Sequence, residues 1–322
     1  MNRSTLKGIA IAATLALLAV NAFAQSWPAK PIHLVVAFTA GSATDIIARA
    51  VGDTLARSLG QSVVIENKPG AGGTIAAGAI AKADPDGYTF LIHSAGHSAN
   101  PAIYPNLTYD TARDFAAVSP LASLPNVMVT PPGRYKSVQD VVAAAKAAPG
   151  KLNFGSAGNG SATHMNAEKF RAAAAFDALH VPFKGTPEAL SETMSGRLDF
   201  FFAPIVSALQ LIREGKVNAL AVGTAKRTPL LPEVATTVEL GYPGSDFNFW
   251  IGVFAPAKTP RDIIERMNAE IAKALQSAEV RERFATLGAE PLAMKPAEFD
   301  AYVRSEIELN GKIVRAAGIK AN

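Results

Sequence analysis

Strand-like and helix-like stretches alternate along almost the whole chain, and that order restricts it to an α/β fold built on doubly wound, mainly parallel sheet. Ile32–Phe38 reads as a buried strand, Asp45–Leu59 as a helix stopped by Gly60, and Ser62–Glu66 as a second strand. The turn Asn67–Gly73 opens an Ala-rich helix, Thr74–Ala83, and Asp84-Pro85-Asp86-Gly87 leads into strand Tyr88–Ile92. The middle section repeats the scheme. Strands are expected at Val127–Thr130, Leu152–Phe154, Leu198–Phe202 and Ala219–Gly223, with helices at Ser137–Ala147, Thr163–Ala174, Pro187–Ser195 and Ile205–Glu214. After Phe249–Phe254 the chain turns helical, over Pro260–Gln276, Ala278–Thr286 and Pro296–Ala317. Pro131-Pro132-Gly133 and Tyr242-Pro243-Gly244 read as punctuation where the chain enters and leaves the middle section. Two crossings between two lobes give a hinged cleft that closes on a small solute.

Two strand-to-helix turns carry the chemistry. The first is Thr39-Ala40-Gly41-Ser42-Ala43-Thr44-Asp45, the second Gly155–His164 with Gly155, Gly158, Gly160, Ser156, Ser161 and Thr163. A helix start leaves backbone N–H groups unpaired and carries partial positive charge, so it seats anions. Ser42 and Asp45 fit the capping-box spacing, with Ser42 at the N-cap and Asp45 reaching back to its N–H. Taken alone, the first turn serves equally as a plain helix cap. The second tilts the balance, because a plain turn needs one glycine and one cap. Its Gly158–Thr163 run approaches G-x-G-x-x-G without the third glycine, which speaks against a nucleotide. Five or six hydrogen bonds to a carboxylate, less the costs of ordering and desolvation, would leave about −8 kcal/mol, or micromolar binding.

Bulk properties set the compartment and exclude several classes. The chain has 322 residues, enough for two domains. Its formal charge is +4, half of it from Arg3 and Lys7 in the first 24 residues. Without any Lys/Arg cluster, nucleic-acid binding is not expected. The basic start Met1–Lys7, the apolar Gly8–Val20 and Ala22-Phe23-Ala24 match a cleaved signal peptide over residues 1–24. That apolar run is too short to span a bilayer comfortably. There is no cysteine, which removes disulfides, thiolate metal ligands and a lipoprotein anchor. A free periplasmic protein is the expected product.

Catalytic signatures are missing. No G-x-S-x-G, H-E-x-x-H or P-loop occurs, so no catalytic residue and no cofactor is assigned. His93 and His97 lie four apart, but Ser94-Ala95-Gly96 between them reads as loop, and no metal site is expected there. His164 at the second helix start serves either as ligand donor or as a packed, capping histidine. Lys184 is either an attractive charge for the ligand or a solvated surface lysine. Among the aromatics near the cleft, Phe183 is a candidate pocket wall. An acid at Ala203 or Pro204 would suit an ammonium-bearing ligand. Neither is acidic, which favours a dicarboxylate or an aromatic carboxylate over an amino acid.

Over nearly all of the chain beyond residue 24, the sequence resembles the Bug-type solute receptors of tripartite tricarboxylate transporters. The likeness rests on Trp27-Pro28-Ala29-Lys30-Pro31-Ile32, then Phe38–Arg49, Asn67–Gly73 and Asp84–Thr89. Further on, Phe154–Gly158, Gly160-Ser161 with His164, Val181–Gly185, Gly215–Val217 through Leu220–Val222, and Arg227 continue it. One departure stands out, since Thr39-Ala40-Gly41-Ser42 interrupts the family's Pro-Gly-Gly. The resemblance implies a two-lobed type II periplasmic-binding-protein fold, with residues 25–125 and 250–322 in lobe 1 and 126–249 in lobe 2. It implies ligand binding by Phe38, Ser42, Ala43, Thr44, Ser156, Ser161 and His164, to which Phe183, Lys184 and Ala203 are added as candidates. The expected function is capture of a small organic acid and its delivery to the membrane subunits of a tripartite tricarboxylate transporter. A monomer is expected, with a sensor kinase as an alternative client. The rival reading is a periplasmic lyase or hydrolase using the same cleft.

Overall fold

The computed structural model describes residues 27–320. The expected signal peptide lies outside the described residues. Two sheets organise the chain. The first contains β1 (Ile32–Val36), β2 (Val63–Asn67), β3 (Thr89–Ser94), β4 (Phe115–Leu124), β10 (Phe249–Pro256) and the short β11 (Glu290–Pro291), in the order β11-β4-β10-β3-β1-β2. The second contains β5 (Asn126–Thr130), β6 (Asn153–Ser156), β7 (Leu179–Pro182), β8 (Phe200–Pro204) and β9 (Asn218–Val222), in the order β7-β6-β8-β5-β9.

Strand direction follows from how the chain travels between the sheets. In the first, β1, β2 and β3 pair in parallel, while β10 is antiparallel to both β3 and β4. In the second, β6, β7 and β8 run together and β5 is antiparallel to β8 and β9. The inserted strands β10 and β5 are the ones by which the chain arrives from the other sheet. Each starts at the gap between sheets and runs away from it, whereas the other long strands run toward it. Carboxyl ends therefore converge on the gap from both sides, where α/β sheets bind their ligands.

Around the first sheet lie α1 (Ala43–Leu59), α2 (Thr74–Ile80), α3 (Gly96–Ile103), α8 (Arg261–Gln276), α9 (Ala278–Leu287) and α10 (Pro296–Ala317). Around the second lie α4 (Val138–Ala147), α5 (Ala162–Ala174), α6 (Thr186–Met194) and α7 (Ile205–Arg213). The second sheet is buried on both faces. Phe200 and Phe202 pack with Met128, Phe154 and Phe170, while Phe201 and Ala203 pack on the opposite side with Val127 and Val129. This alternation is the period-two pattern of a strand. The core of the first sheet includes Ala157, Ala162 and Met165 from the other lobe, so apolar packing continues across the gap.

Two expectations are corrected here, and one unread strand is added. The crossings are at Pro125, between β4 and β5, and at Asn248, just before β10. Asn248 pins both passages together, accepting from Ser123 Oγ at 3.1 Å and donating to Tyr302 Oη at 2.8 Å. Pro131-Pro132-Gly133 instead ends β5, which runs away from the gap, and Tyr242-Pro243-Gly244 lies in a turn of the second lobe. Ser94-Ala95-Gly96, read as loop, instead ends β3 and opens α3, a helix that Pro101 disguised in the sequence. β4 also escaped notice because Pro120 lies inside it. The ladder with β10 shifts register at Gly252, opposite Pro120, and that irregularity accommodates the missing donor.

Candidate solute-binding site

The ends of β1 and β6 each deliver the chain into a helix, and both helix starts line one small cavity between the lobes. On the first side it is bounded by Phe38, Ser42, Ala43, Thr44 and Ser94; on the other by Ala157, Ser161, Ala162, Thr163 and Thr186, with Phe249 from the returning strand. The enclosed space is about 10 Å3, close to what one water needs. First-turn N–H groups of α1 and α5 have no carbonyl partner within their helices. These lone donors at residues 43–44 and 162–163 are what the cavity offers an anion.

The first turn is held from below by one carboxylate. Asp45 is buried and accepts from the Gly41 N–H at 2.9 Å, from Arg49 Nε at 2.9 Å and from Asn67 Nδ2 at 2.9 Å. Burial by itself would raise its pKa, but the bonds from Arg49, Gly41 and Asn67 outweigh it and hold the carboxyl below its usual range. Asn67 also donates to the Phe38 carbonyl at 3.0 Å, tying β2 to the end of β1. The expected capping box does not form. Ser42 has N-cap geometry but no side-chain cap bond, and Asp45 takes the Gly41 N–H rather than that of Ser42. The negative charge thus faces away from the cavity, among the Arg49 and Asn67 donors.

The second turn is held from within. Thr163 Oγ1 accepts from the Ala157 N–H at 2.9 Å, Ser156 Oγ from Gly158 at 3.0 Å, Ser161 Oγ from His164 at 3.3 Å, and His164 Nδ1 from Gly160 at 3.1 Å. Because Ser156 Oγ accepts from Gly158, its own proton is directed to His180 Nε2, 2.6 Å away. The His164 and His180 rings stack at 3.8 Å, and His164 Nε2 points at Glu168, itself bound to Arg171 at 2.7 Å. Burial, and then the neighbouring His164, push His180 down to about 2, so its ring is neutral. Gly158 is required twice over. Its φ is +120°, and a Cβ there would lie 3.0 Å from the Gly72 nitrogen of the opposite lobe.

Of the residues nominated from sequence, Phe38, Ser42, Ala43, Thr44 and Ser161 are brought together on the cavity. Ser156 and His164 lie behind it, their polar atoms engaged by the turn's own backbone and by His180 and Glu168. Phe183 and Lys184 line a separate groove at the mouth, between Gly72 and Tyr104 on one side and Asn159 and Glu188 on the other. Ala203 is corrected outright: it is fully buried in the apolar layer of the second sheet, opposite Val127, and does not reach the cavity. Of the other lining residues, Ala157, Ala162 and Thr163 belong to the second turn and Phe249 to the aromatics around the cleft, while Ser94 and Thr186 were not anticipated. Ser94 ends β3 beside β1, so the parallel order of the sheet was the one signal that could have found it. His93 and His97 are both buried, with ring centroids 4.9 Å apart. Among the described residues no group of three or more His, Cys, Asp or Glu could hold a metal. A larger hollow of about 990 Å3 lies elsewhere, between Thr224–Leu230 and Gly288–Pro291, and meets neither helix start.

Two lobes, two crossings and facing helix starts define a solute-binding protein of the periplasmic type. Comparison with known proteins specifies the family. Residues 47–319 match the family described as tripartite tricarboxylate transporter family receptor. BugT of Bordetella pertussis is 35% identical over 306 residues, 94% of each chain. Among solved structures, R. palustris Rpa4515 with adipate is 35% identical with a TM-score of 0.88, covering 92% of this chain and 100% of its own. MatC of Rhodopseudomonas palustris with bound malate is 34% identical with a TM-score of 0.85, covering 89% of this chain and 100% of its own. The chain belongs to the tripartite tricarboxylate transporter receptor family. It is a solute-binding receptor rather than an enzyme.

Proposed function

We propose that this receptor captures a small organic carboxylate in the periplasm and presents it to the membrane subunits of a tripartite tricarboxylate transporter. The observation that carries this is the convergence of two helix starts on one cavity, with the unpaired N–H groups of Ala43, Thr44, Ala162 and Thr163 around it. The adipate and malate bound by the two R. palustris relatives are carboxylates, which agrees with this donor set. None of the residues lining the cavity is acidic, so nothing there is suited to an ammonium group. That observation replaces the argument from Ala203, and it favours di- or tricarboxylates and aromatic carboxylates over amino acids.

Residues 25–125 with 250–322 form the first lobe in this reading and 126–249 the second, and the protein acts as a monomer. A sensor kinase is a further client of the same closed form. The test is a calorimetric and thermal-shift panel on the protein lacking residues 1–24. Carboxylates such as malate and adipate should stabilise it and amino acids should not. Stabilisation by amino acids or sugars with none by carboxylates would overturn the reading.

A further inference from the structure

We propose that Ser94 is a ligand-contacting residue of this receptor, its Oγ donating to the carboxylate held by the two helix starts. The proposal rests on the carboxylate reading above and adds a side chain to a site otherwise made of backbone donors. Ser94 closes β3, with 1% of its surface exposed, and lines the cavity. Its Oγ has no hydrogen-bond partner. Four other buried hydroxyls among the described residues also lack one, those of Tyr109, Thr111, Thr130 and Thr259, and none of these lines the cavity.

The remaining serines and threonines at the two turns show the contrast. Ser42 Oγ lies 3.2 Å from Thr44 Oγ1, and Ser161 Oγ lies 3.0 Å from Thr163 Oγ1. Ser94 is also firmly placed. Its residue pairs with Ile251 across the sheet, and its N–H donates to His93 Nδ1 at 2.8 Å. A buried hydroxyl without a partner costs stability, and alanine of nearly the same shape would avoid the cost. The Ser94 hydroxyl is therefore left for an acceptor that enters the cavity.

That asymmetry gives the test an unusual sign. Ser94→Ala and Ser42→Ala are each titrated with malate and with adipate by calorimetry, and melted without ligand. For each acid that the wild-type protein binds, Ser94→Ala should weaken binding roughly tenfold or more. Its ligand-free melting temperature should be unchanged or higher, and Ser42→Ala should weaken binding by less. Wild-type affinity in Ser94→Ala, or a melting temperature that falls along with affinity, would overturn the assignment to Ser94 alone. A loss for malate only would show that Ser94 reads the 2-hydroxyl and would overturn the carboxylate contact. A wild-type protein that binds no di-, tri- or aromatic carboxylate would overturn the carboxylate reading and this proposal with it.

Discussion

The two helix starts perform the same task with opposite means. The turn before α1 has a single glycine and leans on one buried acid, whose three donors come from the turn, the helix and the neighbouring strand. The turn before α5 has three glycines and no charged side chain of its own, and it is held by hydroxyls and an imidazole that absorb its own N–H groups. Glycine gives the chain the bends it needs but makes it expensive to order. A glycine-rich turn therefore needs more internal bonds to hold one shape. The high density of Ser and Thr in the second turn is explained by that need. In both turns the side chains organise, and the first N–H groups of the helix are left free of helical partners.

The largest effect expected from this contrast is on stability. Asp45→Ala removes the acceptor shared by Gly41, Arg49 and Asn67, and should cost about 3 kcal/mol in urea unfolding. A cost close to that of an ordinary surface substitution would mean that the two turns are not held differently.

Next comes the seam where the turns approach. Gly96 opens α3, and a Cβ on it would lie 2.5 Å from the Gly160 carbonyl oxygen of the opposite lobe. Gly96→Ala should weaken solute binding by about tenfold, while the helix itself gains from alanine. Small-angle scattering should show a more open molecule with no loss of melting temperature. Unchanged affinity would show that closure does not depend on this contact.

Acid should act through buried histidines in both lobes. His180 is held neutral in the folded chain and is lowered from 6.5 to about 2. Below about pH 6.5 the unfolded chain binds a proton that the folded chain refuses, so stability falls as the pH drops from there toward 2. His93, lowered to about 4 by burial, adds to the same loss between 6.5 and 4, and His97, held well below its ordinary value by burial and then by His93, adds to it as well. Asp45 begins to contribute only near and below the ordinary aspartate value of 3.8, where protonation removes stability. The melting temperature should fall between pH 7 and 5, and His180→Gln should make that fall shallower without abolishing it. An identical pH profile in the variant would place the acid sensitivity elsewhere.

The smallest effect separates the two caps. Ser161 accepts from the His164 N–H, and its replacement by alanine should cost about 1 kcal/mol. Ser42 makes no cap bond, and its replacement should stay within about 0.5 kcal/mol. Equal costs from paired unfolding curves would erase the distinction between a turn held from within and one held from below.

Much of this architecture is legible because local rules and tertiary structure agree. Gly60 ends α1 in the left-handed conformation, and the Gly158–Ser161 turn opens α5 as its composition implies. Where two rules conflict, legibility fails. Pro101 and Pro120 hid a helix and a strand that burial nevertheless imposes, because proline lowers the local preference while the surroundings fix the outcome. Capping spacing misled in a subtler way. The box forms at Ser137 and Asp140, with Asp140 accepting from the Ser137 N–H, yet at Ser42 and Asp45 the acid turns to Arg49 and Asn67. Asn67 lies on another strand and cannot be seen from spacing along one helix.

The alternation of strands and helices, the two glycine-bearing turns and the family they mark follow from the order of residues, because each depends on neighbours a few residues away. Which side chains of those turns face the cavity depends on contacts between distant parts of the chain. Ser156 and His164 were withdrawn by partners at His180 and Glu168, Ala203 was buried by the two-sided packing of its strand, and Ser94 was brought forward by the order of strands. A hydroxyl's role depends on whether another group already satisfies it, and that group is usually distant in the chain.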